Sequence, residues 1–180
     1  MLAGRHGARM SRERSSRSLV AKVSLHERAT VLAIPQTWMN ECGAAVRLLR
    51  NRHLGGDPAR EGADRASSAS DLQLERLVVV HDEMDLPVGR VKVKLGGGIA
   101  GHNGLRSIRS HLHSVEFARV RVGIGKPPNP EHGAEYVLAR PPMRERDGLD
   151  AAKEAAADAV ELVVGEGLAA AMTLFNAAGR

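Results

Sequence analysis

The sequence predicts an α/β fold, a single domain with a mixed sheet flanked by helices on both faces. Two observations carry this. A continuous apolar run at Leu77–Val80 and alternating runs at Arg90–Leu95 and Ala118–Ile124 read as one strand buried on both faces and two half-exposed strands. Helical patterns lie between and after these runs, and strands interleaved with helices pack as an α/β sandwich. The 180 residues suffice for one core. Aromatic residues make up only 2% of them, so that core must be built from Val, Leu, Ile and Ala.

Each element has its own signal. Leu19–Leu25 and Thr30–Ile34 are β-branched-rich and close together, a hairpin whose second strand Pro35 ends. Gly43–Leu54 reads as a helix, with Val46, Leu48 and Leu49 as its apolar positions. Residues 55–70 are rich in Gly, Ala, Ser, Asp and Arg without apolar period, and are expected to form a mobile loop inside the one domain, 1–180. In Arg90–Leu95 the basic side chains share one face, and in Ala118–Ile124 Arg119 and Arg121 do. Gly101–His113 reads as a helix after a glycine run, and Lys126–Pro130 as a proline-rich loop. Residues 143–164 and 166–177 read as two helices separated by Gly165.

Bulk properties narrow the class of partner. No run of ~18 apolar residues occurs, so no membrane span is expected. The Arg- and Ser-rich start has no apolar centre and does not read as a secretory signal. A single cysteine, Cys42, excludes an internal disulfide and fits a reducing cytoplasm. The net charge of +5 is unevenly spread: residues 90–126 hold eight Lys/Arg against one acid, whereas 29–89 and 127–180 are net acidic. A concentrated cationic stretch attracts phosphate groups, although a solvated basic face has the same composition.

Three segments could carry chemistry. Leu95–Gly104 contains five glycines and precedes a helix, so it could offer backbone N–H groups to an anion or simply connect two elements. It lacks the Gly-Lys-Ser/Thr of a nucleotide-binding loop. Within it, His102 could be a base, a phosphate donor or a satisfied loop residue, and Asn103 can both donate and accept. His81-Asp82-Glu83 follows the apolar strand, at the strand end where α/β folds place ligands. Asp82 could orient a histidine there, and a metal site is the minor alternative, since further ligands would be needed. Trp38 could be a core plug or an exposed stacking surface, and Asn40 could be a helix N-cap or a substrate contact.

These segments, in this order, resemble the bacterial-type peptidyl-tRNA hydrolases. The resemblance rests on Pro35-Gln-Thr-Trp-Met-Asn40, Val80-His-Asp-Glu-Met-Asp-Leu-Pro-Val-Gly89, Lys94-Leu-Gly-Gly-Gly98, Gly101-His-Asn-Gly-Leu-Arg-Ser-Ile108 and Phe117-Ala-Arg-Val-Arg-Val-Gly-Ile-Gly-Lys-Pro127. It implies hydrolysis of the ester joining a peptide to the terminal ribose of tRNA, which recycles tRNA during translation, without cofactor or metal. It further implies a monomeric, cytoplasmic enzyme whose partner is peptidyl-tRNA.

Residue by residue, the resemblance makes Asp82, Asn103 and Asn40 catalytic. It places Trp38, Asn40, Asn103, Lys94, Arg121 and His102 on the tRNA. Asp82 would orient a histidine that the family carries near its N-terminus, after a first strand and a Gly-Leu-Gly-Asn-Pro-Gly turn. Neither that turn nor the Arg-His-Asn motif occurs in this sequence. Residues 1–18 are expected to be a remnant of the following helix and loop, so the first strand and the catalytic histidine would be missing. Such a chain would be inactive, or a non-catalytic tRNA-binding relative. His81 and His102 are the nearest candidates to replace the missing base within the motifs, but adjacent strand residues such as His81 and Asp82 tend to point apart, so rescue is not expected. The family's His-Gly is Ile99-Ala100 here, which is expected to alter the glycine loop.

Overall fold

The computed structural model describes residues 1–54, 74–127 and 129–177. The expected loop at 55–70 lies outside them. The chain forms two compact units, each assembled from two segments: Met1–Leu77 with Leu95–Ala118, and Val78–Lys94 with Arg119–Arg180.

The first unit opens with a short helix α1 (Leu2–Arg5) and an antiparallel sheet of β1 (Ser11–Glu13), β2 (Ser18–Leu25) and β3 (Arg28–Pro35), in that order. Residues 1–18 are therefore more than a helix remnant and loop. Ser11-Arg12-Glu13 has no β-forming residue, and pairing with β2 makes it a strand. The β2–β3 hairpin runs from Leu25↔Arg28 to Ser18↔Pro35, as the two apolar runs predict. Its two-residue turn, His26-Glu27, has φ of 47° and 62°, the double left-handed geometry that matches strand twist.

After a single 3-10 turn (Met39–Glu41) comes α2 (Cys42–His53), and after the glycine loop α3 (Asn103–Leu112). These helices approach closely because two glycines permit it. A Cβ on Gly43 would lie 2.1 Å from the Ser107 carbonyl oxygen, and one on Gly104 would lie 2.6 Å from Met39 Sδ. The Gly43 N–H donates to Ser107 Oγ at 3.0 Å across the crossing. Leu25, Ala45, Leu105, Ile108 and Phe117 are buried in this unit.

The second unit is built on a mixed sheet of β4 (Val78–Glu83), β6 (Ala118–Gly123) and β5 (Val91–Leu95), with β6 central. Hydrogen bonds from Ala118 N–H to Leu77 C=O and from Ile124 N–H to Glu83 C=O make β4 and β6 parallel. Those linking Gly96 to Phe117 and Gly123 to Arg90 make β6 and β5 antiparallel. The α/β class and the mixed sheet are thus as the sequence predicts.

Four details differ. β4 continues through His81, Asp82 and Glu83, because its pairing with β6 reaches that far. It is also not buried on both faces: Val80 is 51% exposed, and β4 is the outer strand of the described sheet. A helix that no pattern announced, α4 (Gly133–Leu138), follows the proline-rich loop. The break between α5 (Met143–Gly165) and α6 (Leu168–Asn176) falls at Gly167, whose φ of 96° stops the helix, while Gly165 remains helical.

In α5 the buried positions Ala152, Ala156, Ala159, Val160 and Val163 form one stripe at helical spacing. At the end of α6, the Asn176 amide imitates a neighbouring strand. It accepts from the Val93 N–H at 3.0 Å and donates to the Val93 C=O at 2.7 Å, satisfying backbone groups of β5.

Candidate active site

Four of the residues singled out in the sequence belong to the first unit, and three to the second. In the first, the 3-10 turn carrying Asn40 and the start of α3 carrying Asn103 are neighbours, because Met39 lies against Gly104. Asn40 is exposed within that turn. It is not the N-cap of α2, a position that Glu41 takes without a side-chain bond. Trp38 is 78% exposed, so it is not a core plug. A large aromatic face left in water is the geometry a stacking surface requires.

His102 is the N-cap of α3. Its Nδ1 accepts the backbone N–H groups of Gly104 (3.0 Å) and Leu105 (3.3 Å). Two of the helix's otherwise unsatisfied donors are thereby paired by an imidazole in place of the usual Ser, Thr or Asp. Asn103, the first helical residue, is exposed, and its Oδ1 accepts from Arg106 Nη1 at 3.3 Å. Cys42 is buried beneath this region, its Sγ 3.6 Å from the Gly104 carbonyl oxygen, and burial pushes its thiol pKa up. It is an inert core residue rather than a nucleophile.

The glycine loop before α3 takes left-handed geometry at Gly96, Gly97 and Gly101, as its composition suggests. It takes it at Ala100 as well, with φ of 43°, where a Cβ is unfavourable.

In the second unit, Asp82 lies half-buried in β4. The neighbouring His81 Nδ1–H donates to the Asp82 backbone carbonyl at 2.6 Å. Glu83, buried at the end of β4, binds Arg121 on β6, with Arg121 Nη2 and Nε 2.9 and 3.0 Å from Glu83 Oε2. The two side chains are only 10% and 20% exposed, which makes this a largely desolvated pair. The other Glu83 oxygen accepts the Asp85 N–H at 3.2 Å.

Arg119, two residues earlier on the central strand, is 1% exposed, because the strand is covered on both faces. Lys94 completes the group. Burial first, then the charges of Arg121 and Arg119, hold its pKa below the ordinary 10.5. At the rim, Lys126 and Asp85 form an exposed pair at 2.8 Å, whose mutual attraction raises the lysine pKa and lowers that of the aspartate.

Sequence reasoning missed Glu83 as the partner of Arg121 and Arg106 as the partner of Asn103. The first pair spans 38 positions and leaves no local signal. The second is an i, i+3 pair on a helix, and that spacing could have revealed it. Among the described residues, no group of three or more His, Cys, Asp or Glu side chains could hold a metal ion. No described helix is long and apolar enough to cross a membrane.

Residues 61–180 match the family model described as peptidyl-tRNA hydrolase. This chain belongs to the peptidyl-tRNA hydrolase family. A relative from Cutibacterium acnes, named peptidyl-tRNA hydrolase, is 39% identical over 94% of the chain and 76% of its own length. One of the same name from Rubrobacter xylanophilus is 43% identical over 96% of the chain and 83% of its length. The crystal structure of peptidyl-tRNA hydrolase from Acinetobacter baumannii superposes with a TM-score of 0.82 at 28% identity, covering 98% of this chain and 81% of that one. The fold is therefore the mixed α/β fold of the family.

Proposed function

We propose that this protein hydrolyses the ester between a peptide and the terminal ribose of tRNA, acting as a cytoplasmic monomer on peptidyl-tRNA without a metal or other cofactor. The observation that supports this most directly is the juxtaposition, in a member of this family, of Asn40 and Asn103 on adjoining helical turns with Trp38 exposed beside them. Neutral amides can bind an ester and its developing oxyanion without a countercharge. Trp38 offers its face to a base or sugar ring.

Asp82 is assigned to orient and stabilise a base histidine, the role the resemblance gives it although the family's Arg-His-Asn motif does not occur among these 180 residues, and His102 is assigned to the tRNA. Lys94 and Arg121 are assigned to phosphate. Of these two, Lys94 has the stronger case: it is crowded by like charges, and an arriving phosphate would relieve that repulsion. Arg121 already holds Glu83, so its part is to share that charge field.

The test is release of blocked amino acid from diacetyl-lysyl-tRNA or another N-blocked aminoacyl-tRNA, with light scattering for the oligomeric state. Multiple turnover supports the proposal. A second reading, binding of tRNA without cleavage, is favoured by one sequence observation: the family's Arg-His-Asn motif does not occur among these 180 residues. Salt-sensitive tRNA binding with no ester cleavage would select that reading.

A further inference from the structure

The first turn of α3 carries an interaction that bears on how Asn103 works. Asn103 and Arg106 are three residues apart and share one face of the helix. Arg106 Nη1 donates to Asn103 Oδ1 at 3.3 Å. A carboxamide has two chemically opposite ends, a carbonyl that accepts and an NH2 that donates. In isolation it can present either to a ligand. A guanidinium has donors only, so the carbonyl end is the one it can hold. The NH2 end is then directed away from Arg106.

The neighbouring side chain is oriented in the same sense. His102 Nδ1 accepts two backbone N–H groups, so in the neutral ring the hydrogen sits on Nε2. Asn103 thus carries its NH2, and His102 its ring hydrogen, at the helix end whose dipole is positive.

We infer that Arg106 is a positioning residue: it fixes the Asn103 amide with its NH2 outward, so that Asn103 serves as a hydrogen-bond donor to a substrate oxygen gaining negative charge. This rests on the role proposed above for Asn103.

The kinetic test compares four variants on an N-blocked aminoacyl-tRNA. Asn103→Asp keeps an acceptor for Arg106 but presents no NH2, and it should lose as much turnover as Asn103→Ala. Arg106→Ala should lower kcat about fivefold with KM and melting temperature unchanged, and Arg106→Lys should recover most of the loss. Substantial activity in Asn103→Asp would overturn the donor assignment. A salt-dependent rise in KM with unchanged kcat in Arg106→Ala would also overturn it, making Arg106 a phosphate contact instead.

A second arm does not depend on cleavage. The Asn103 side-chain 13Cγ resonance, identified by its loss in Asn103→Ala, should move upfield in Arg106→Ala, because the carbonyl loses a charged donor. It should return in Arg106→Lys. An unchanged resonance would overturn the inference even if the protein were active. A shifted resonance in a chain that does not cleave would sink the proposed hydrolysis and leave the Arg106–Asn103 coupling standing.

Discussion

The two units handle polarity in opposite ways. In the first, the candidate site groups are amides and an imidazole on helical turns, Asn103 held by one hydrogen bond and His102 accepting two. In the second, the polar side chains are charges drawn into a sheet, where Arg121 is paired with the buried carboxylate Glu83 and Lys94 lies in the field of Arg121, Arg119 and Glu83. The difference follows from desolvation. An amide at a surface turn costs little to leave facing water, whereas a cation in a sheet needs a countercharge nearby. The first arrangement suits reversible contact with a neutral ester. The second is the arrangement to which the proposed function assigns the tRNA phosphates.

The comparison can be broken at its strongest points first. Asn103→Ala removes a donor from the exposed turn and should lower kcat by about a hundredfold, while the melt stays near that of the parent. A loss of stability instead would place Asn103 in the scaffold. In the second unit the order of effects should reverse. Glu83→Ala leaves Arg121 buried without its partner, beside Lys94 and Arg119, and should destabilise by about 3 kcal/mol in a denaturant melt. A change near zero would mean that the carboxylate is not what holds these cations.

Smaller effects sharpen the contrast. Lys94→Ala should weaken tRNA binding and lower the slope of log K against log salt by about one. An unchanged slope would remove Lys94 from the phosphate contacts.

The pH dependence of stability tests the same field. The pKa of Lys94 in the folded protein is below its ordinary 10.5, so between the two values the unfolded chain binds more protons. Stability should therefore rise with pH across that window relative to Lys94→Met, and a flat difference would argue against the burial of Lys94 and its crowding by Arg121 and Arg119. The smallest effect belongs to the glycine loop: Ala100→Gly should raise stability by about 0.5–1 kcal/mol by relieving the left-handed strain. A decrease would show that the strain is absent in solution.

Much of this was legible in the sequence. The β2–β3 hairpin, α2, β5 and α3 follow from periodicity; β6 is a strand as its alternation predicts, but it is covered on both faces rather than half-exposed, and Arg119 is buried. The cationic stretch at 90–126 correctly marked the charged strands, and the motif order marked the family. What escaped notice depends on contacts distant in the chain. β1 is a strand only through β2, and β4 extends to Glu83 only through β6. Trp38 could equally have been a core residue by composition, since an apolar ring carries no record of which neighbours will cover it.

The sequence by itself determined the α/β class, the family and the identity of the polar groups, because periodicity, glycine placement and residue chemistry are local properties. Only the tertiary structure decided what each polar group does. It placed Asn40 beside Asn103 through the close approach of Gly104 to Met39, exposed Trp38, gave His102 to a helix cap, and spent Arg121 on Glu83. Hydrogen bonds and ion pairs depend on distances of about 3 Å, which arise only once the chain has folded.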